Sequence, residues 1–488
     1  MTGRSVNPYT KRPIPTPTLD DGPQPLPNKT SYAPYVSTHH STDYISYEFR
    51  VPKWFCSAHE FKTYFTTTIL PPTIVEQLSL HETHPRTFVT SVVLFVLVIL
   101  LYLRQRIFLR SRIKLYHAPK TANIKYTDGK TGRQETVELM ELVREWCPKL
   151  TKGVFSPTWW LAGGHEQTLF AAAYGGVGGD LVTYEREMLH LPDGGNIALD
   201  WCPGPSKKPF ANDQTPCIVI CHGLTGGSHE LYVQDLVDVV TREKGYRAVV
   251  CNFRGCAKTE LTSMHLYSAG YTDDLDYALT HILKHIPNAP LFGVGFSLGA
   301  NVMLKYVGEC GEGCRLTGAA SVANPFDLLA SSHALHRTVL GRYLYSWTLA
   351  QSLIRMFKRH MHHFKASEKF NIPSILSVRS IIEFDNAVTR RAFNYRSVHE
   401  YYRRGSSAQH VPDVAIPTLL LSALDDPIAS REAIPYWEVQ GNPNVILATT
   451  KGGGHLGWFE GMWPRRRWAA SVVGEFATVV VEAGLSLP

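Results

Sequence analysis

The sequence predicts an α/β fold built on a mostly parallel sheet covered by helices on both faces, and three observations carry that reading. Short apolar runs alternate with helix-forming stretches over roughly 270 residues from about Thr151 onward. Two strands, Asp180 to Leu191 and Asn196 to Cys202, flank the turn Pro192-Asp193-Gly194-Gly195. The apolar run Leu291 to Phe296 leads straight into Gly295-Phe296-Ser297-Leu298-Gly299 and then into a helix-forming stretch, Ala300 to Val307.

The other runs are Cys217 to Cys221, Arg247 to Phe253, Gly318 to Ala323, Thr418 to Ala423 and Val445 to Thr449. With the first three they make an expected sheet of eight strands within a domain spanning 151–488. The interval from Pro325 to Pro417 holds no convincing strand and reads as a helical insertion, a cap over about 328–410. Its Tyr343, Tyr345, Trp347 and Leu349 are expected to line an apolar pocket.

Composition bounds what the chain does. A hydrophobic fraction of 44% with 19% charged residues supports a buried core, and the net charge of +7 suits an anionic membrane surface. The basic residues are scattered and no nucleic-acid module is visible, which argues against nucleic acid as a partner. Nine cysteines without paired CxxC spacing do not form a disulfide framework and suit a reducing compartment. Cys310 and Cys314, four apart on an expected helix, have no matching pair, so neither a metal nor another cofactor is called for. The cluster His360, His362 and His363 reads as a solvated basic face.

Residues 1–86 differ in composition. Proline recurs between Pro8 and Pro27, and polar residues follow, as in a disordered tail with a short amphipathic piece near Trp54 to Phe65. The first 20 residues lack the apolar stretch of a signal peptide. Residues 87–103, TFVTSVVLFVLVILLYL, carry no charge, and as a helix would span about 26 Å against ~30 Å of bilayer hydrocarbon. Arg104, Arg106, Arg110, Arg112 and Lys114 follow, the flank of a single-pass anchor. Residues 104–150 read as a basic stalk with one helix, Thr136 to Trp146. The positive flank places the larger C-terminal domain in the cytosol, and the sequon Asn28-Lys29-Thr30 lies on the other side.

Gly-x-Ser-x-Gly alone is a weak signal, but its setting here is what a nucleophilic serine requires. Glycines two residues before and after Ser297 permit a tight strand-to-helix turn that exposes the hydroxyl above the sheet. Attack on a carbonyl creates an oxyanion, which needs waiting donors. The backbone N–H of Leu298 is one, and the loop His222-Gly223-Leu224-Thr225-Gly226-Gly227 offers the N–H of Leu224 as the other. The hydroxyl also needs a base with an orienting carboxylate, in the chain order serine, acid, histidine. Leu424-Asp425-Asp426-Pro427 follows a strand; Asp425 and Asp426 compete, and Asp426 beside the proline is preferred. After the last strand, Gly452-Gly453-Gly454-His455 gives a loop able to carry the imidazole to Ser297.

These residues, with several others, give the chain a resemblance to the AB-hydrolase type 4, or YheT-like, family of membrane-anchored α/β-hydrolases. From about Phe155 to the C-terminus it is similar in Phe155-Ser-Pro-Thr-Trp-Trp-Leu161, Gly164-His-Glu-Gln-Thr168, His222-Gly-Leu-Thr-Gly-Gly-Ser-His-Glu230, Asn252-Phe-Arg-Gly-Cys256, Leu266-Tyr-Ser-Ala-Gly-Tyr-Thr-Asp-Asp274, Glu383-Phe-Asp385 and Tyr401-Tyr402. Glu166 departs, standing where an apolar residue is commoner. The resemblance implies an α/β-hydrolase fold with a cap, an N-terminal transmembrane helix, and a triad of Ser297, Asp426 and His455. It also implies acyl-ester substrates such as monoacylglycerols, phospholipids or medium-chain esters at a membrane, the endoplasmic reticulum or a lipid droplet. For the fungal transfer reaction, acyl-CoA and ethanol enter as further reactants. The expected activity is therefore that of a serine esterase or lipase, the alternatives being an alcohol O-acyltransferase or an inactive membrane interaction module. A separate HxxxxD acyltransferase motif is absent from the sequence.

Overall fold

The computed structural model describes residues 85–104, 111–127, 134–174, 182–211, 213–365, 367–463 and 466–484. Residues 1–84 of the expected tail 1–86 lie outside the described residues; Pro85 and Arg86 begin a helix. Pro85–Arg104 is a helix whose side chains from Val92 to Leu100 are all exposed. Among the described residues no helix is long and apolar enough to cross a membrane.

The main sheet has nine strands, one more than expected. In chain order they are β1 (Lys114–Tyr116), β2 (Glu185–His190), β3 (Asn196–Cys202), β4 (Cys217–Cys221), β5 (Arg247–Asn252), β6 (Leu291–Phe296), β7 (Gly318–Val322), β8 (Thr418–Ala423) and β9 (Val445–Thr450). Across the sheet they run β1-β9-β8-β7-β6-β4-β5-β3-β2. Neighbours from β9 through to β5 are parallel; β1, β3 and β2 pair antiparallel at the two edges.

The extra strand corrects the stalk reading. Lys114, Leu115 and Tyr116 pair with Thr449, Ala448 and Leu447. Asn123–Thr127 and Gln134–Glu138 form a hairpin, and the helix expected from Thr136 starts only at Leu139. Three residues among basic neighbours carry too little period-2 signal to announce an edge strand. The described residues from 114 to 150 thus belong to the sheet domain.

The central strands are apolar at every position because both faces are covered. Alternate residues feed opposite cores: Val219, Val249 and Leu291 one, Ile220, Val250 and Val294 the other. The helix Trp468–Gly484 packs into the second core through Val472, Phe476 and Val480.

Between β7 and β8 the chain is helical, as expected of a cap: α4 (Leu328–Arg337), α5 (Trp347–His360), α6 (Val398–Gly405) and shorter turns. Cap and sheet meet at α3 (Leu298–Cys310), the helix after Ser297. Asn301, fully buried, donates to the carbonyls of Ala269 and Gly405 and accepts the Ser407 N–H at 3.0 Å. One amide therefore joins α3, the 266–270 loop and the end of α6. Asn301→Ala strands three buried backbone groups, each costing about 1–3 kcal/mol. We expect it to lower unfolding stability by at least ~2 kcal/mol in urea titrations; a change within error would show that these groups find other partners.

Candidate active site

Ser297 stands between β6 and α3 with φ 52° and ψ −117°, a left-handed conformation outside helix and strand. Two glycines make that turn passable. A Cβ on Gly299 would fall under 3.0 Å from the carbonyls of Cys221 and His222, and one on Gly295 would strike Gly299 and Ala300. The Ser297 N–H is held by the Val322 carbonyl at 2.9 Å, which ties the strained residue to the neighbouring strand.

Ser297 Oγ lies 2.8 Å from His455 Nε2, and His455 Nδ1 lies 2.8 Å from Asp426 Oδ2. Because a carboxylate only accepts, Nδ1 carries the proton and Nε2 offers its lone pair to the serine hydroxyl. Asp426 Oδ1 accepts the backbone N–H groups of Ile428 and Ala429, both at 2.8 Å, which fixes the carboxylate plane. The side chains of His455 and Asp426 are 9% and 2% exposed, so the relay runs in a medium largely without water.

Asp425, the competing carboxylate, points elsewhere and accepts the Gly454 N–H at 2.9 Å. It holds the histidine loop rather than the histidine. Burial pushes its carboxyl up to about 6; the Gly454 bond opposes the shift and the charge of Asp426 adds to it.

The histidine loop is braced from a quarter that sequence reasoning left without a role. The His455 N–H donates to Thr168 Oγ1 at 2.8 Å, and Gln167 bonds Leu161 and Phe459. Both belong to the helix Gly164–Tyr174, so the motif Gly164 to Thr168 is the buttress of the His455 loop. Gly164 packs against Asp425 so closely that a Cβ has no room. Glu166, the departure from the family pattern, is exposed, which explains why a charge is tolerated there.

The loop after β4 approaches Ser297 as expected. A Cβ on Gly223 would stand 3.4 Å from Ser297 Cβ, and the Gly223 N–H donates to the Tyr232 hydroxyl at 2.9 Å. Leu224 and Leu298 line the pocket with Ser297 and His455. His222 itself is interior: Nδ1 meets the Gly223 carbonyl, Nε2 accepts the Phe253 N–H, and burial pushes its pKa down to about 4. It shapes the loop as a neutral ring.

The pocket encloses about 870 Å³ of empty space, counting its mouth. Its walls are chiefly Leu224, Leu298, Leu328, Leu335, Leu349, Leu353 and Ile381. Of the four cap residues expected there, only Leu349 lines it. Tyr343 and Trp347 are exposed on the outer face, and buried Tyr345 bonds His165 through its hydroxyl at 2.7 Å. Helical periodicity in the cap identifies apolar faces but not which of them turns inward. Asp385 also lines the pocket, and sequence reasoning assigned it nothing. Its oxygens accept the hydroxyls of Thr389 and Tyr402, and burial raises it to about 6.

Among the described residues the eight cysteines are free, and α3 ends at Cys310 with Gly311 at φ 52°, so Cys314 lies beyond the helix expected to hold both.

A mostly parallel sheet that delivers a serine at a strained turn beneath a helical cap is the architecture of the α/β-hydrolases. The family model described as serine aminopeptidase, S33, matches residues 212–460, and the chain belongs to that family. Three relatives place it further. The monoacylglycerol lipase of Saccharomyces cerevisiae is 30% identical, aligning 73% of this chain with 87% of its own. The medium-chain fatty acid ethyl ester synthase/esterase 2 of the same yeast is 28% identical over 71% and 90%. An embryogenesis-associated protein, EMB8, of Picea glauca is 35% identical over 61% of this chain, which spans 65% of that relative's length.

Asp425 yields a test of its own. An unfolded carboxyl titrates near 4, so one raised to about 6 in the folded state makes stability fall as pH rises through that window. Asp425→Asn keeps an acceptor for Gly454 without the charge. Calorimetric melting should find the variant more stable than the parent at pH 8, the difference shrinking towards pH 4. A difference independent of pH would mean that the charge is not desolvated.

Proposed function

We propose that the protein is a membrane-associated serine esterase or lipase that cleaves acyl esters, monoacylglycerols or medium-chain fatty acyl esters, through an acyl-enzyme on Ser297. The observation that carries this reading is the continuous hydrogen-bond relay Ser297–His455–Asp426 at the wall of an apolar pocket. His455 Nε2 takes the hydroxyl proton as Ser297 Oγ attacks the acyl carbonyl, and Asp426 steadies the imidazolium. The N–H groups of Leu224 and Leu298 receive the oxyanion. His455 then protonates the departing alcohol. Water admitted at the same place regenerates Ser297; an alcohol such as ethanol at that place completes acyl transfer instead.

Lipid as the substrate class is supported by the pocket walls, whose one carboxylate, Asp385, is engaged by two hydroxyls. The outer cap supports it too: Val339, Leu340, Tyr343 and Trp347 are exposed, and Tyr343 and Trp347 share a depression with Arg342, Arg379 and Glu383, aromatic rings among charges as at a lipid–water interface. Anchoring is supported by the uncharged residues 87–103 and the basic flank after them. That flank favours a hydrolase domain on the cytosolic side of the membrane. Protease added to sealed microsomes should then degrade the domain without detergent; survival until detergent is added would reverse the orientation.

Ser297→Ala should abolish labelling by a fluorophosphonate probe and cut ester turnover by at least ~10³-fold with the fold intact. Full turnover in that variant would remove Ser297 from the mechanism. Asp426→Asn should cost far more than Asp425→Asn, and the reverse order would move the acid role to Asp425. On p-nitrophenyl esters of graded length, Leu349→Trp should shift preference towards shorter chains, because the indole fills space in the pocket that Ser297 also lines; an unchanged profile would place the acyl chain elsewhere. Ethanol added to the same assay separates hydrolysis from transfer by whether ethyl ester accumulates.

A further inference from the structure

Outside the Ser297 pocket, three side chains from two elements converge on one point. His281 and His285 lie four residues apart on α2 (Asp273–His285), so both rings leave the same helix face. Glu187 reaches them from β2. Its Oε1 is 2.7 Å from His281 Nε2 and 3.3 Å from His285 Nε2, and the two Nε2 atoms are 3.1 Å apart.

Protons alone serve this triangle poorly. If both rings carry Nε2–H, two N–H groups crowd each other at 3.1 Å; if His285 turns a lone pair inward, that pair faces the carboxylate oxygen. A cation at the centre accepts a lone pair from all three atoms. Four-coordinate zinc, with bonds of about 2.0–2.2 Å to nitrogen and oxygen, sets its ligand atoms about 3.3 Å apart. Two of the three separations match that closely, and a small rotation of the carboxylate opens the third.

The surroundings point the same way. The Trp201 indole N–H donates to Glu187 Oε2 at 2.9 Å, which leaves Oε1 turned towards the rings. The Phe210 ring packs against the His285 ring at 4.9 Å. The three side chains are 25–35% exposed, enough for a water to complete the coordination.

We propose that Glu187, His281 and His285 form a binding site for a divalent transition metal, with zinc the best fit to two imidazoles and a carboxylate. None of the three lines the Ser297 pocket, so the ion acts as a tie between α2 and the edge strand β2 and takes no part in ester chemistry. The spacing of His281 and His285 is visible in the sequence, but the carboxylate that joins them is not, because Glu187 and His281 are 94 positions apart.

The test uses the full-length chain in detergent after chelation, with Zn²⁺ titrated during thermal melting and metal counted after equilibrium dialysis. One zinc per chain and a saturable rise in melting temperature are expected, with ester turnover unchanged. His281→Ala and His285→Ala should abolish the rise. Glu187→Gln, which keeps an acceptor for Trp201 and is the mildest change, should weaken zinc binding at least 10-fold. The double variant His362→Ala/His363→Ala should retain it. Cobalt(II) in place of zinc should give the visible absorption of a tetrahedral site. No rise in the parent chain, or a rise that survives in both histidine variants, overturns the proposal.

Discussion

The close approach of α3 to the end of β4 is the constraint on which the site depends. Gly299 lies against the Cys221 and His222 carbonyls with no room for a side chain, and Gly295 lies against the first turn of α3. Only this contact lets the helix begin directly above the sheet and hold Ser297 at φ 52°. It also brings the loop after β4 beside the hydroxyl, so Ser297 and that loop are positioned by one packing event. A residue with a Cβ at 299 would force helix and strand apart and separate the two.

Three carboxylates near the pocket illustrate how partners divide roles among chemically identical groups. Asp426 meets three N–H donors, two of backbone and one of His455, and so can orient the ring while bearing its charge. Asp425, the residue before it, has no side-chain donor, only backbone N–H groups such as that of Gly454, and burial raises it to about 6. Asp385 is raised likewise, with only hydroxyls for partners. A carboxylate suited to steady an imidazolium is distinguished by its donors, and donors are a property of the folded chain.

That distinction also marks where reading the sequence succeeds. The strand into Ser297, the glycines around it, the proline after Asp426 and the glycine run before His455 are local signals, because each is a demand made by one turn on its own residues. The parallel sheet was legible for the same reason: buried strands are apolar along their length. The edge strand Lys114–Tyr116 was not, since three residues borrow their conformation from β9. Nor was the buttress, in which Thr168 meets His455 across 287 positions. The cap was legible as helical, but the inward face was not: Tyr343 and Trp347 have the composition of a pocket wall and lie outside.

The cap and the sheet are nevertheless one mechanical unit at their base. Asn301 bonds the end of α6, and Asn324 bonds Ser407 Oγ while also reaching the Ala300 carbonyl and Ser321. Both amides sit on or beside the turn of α3 that follows Ser297. A shift of the cap that opened the pocket would therefore have to hinge above these bonds, through α4 and α5, or disturb Ser297 itself. The first is cheaper, since it exchanges apolar contacts with solvent or lipid and leaves buried amides satisfied. On this arrangement the hydrogen bonds joining Ser297, His455 and Asp426 are tied to the base of the cap, and the apolar walls contributed by α4 and α5 are not.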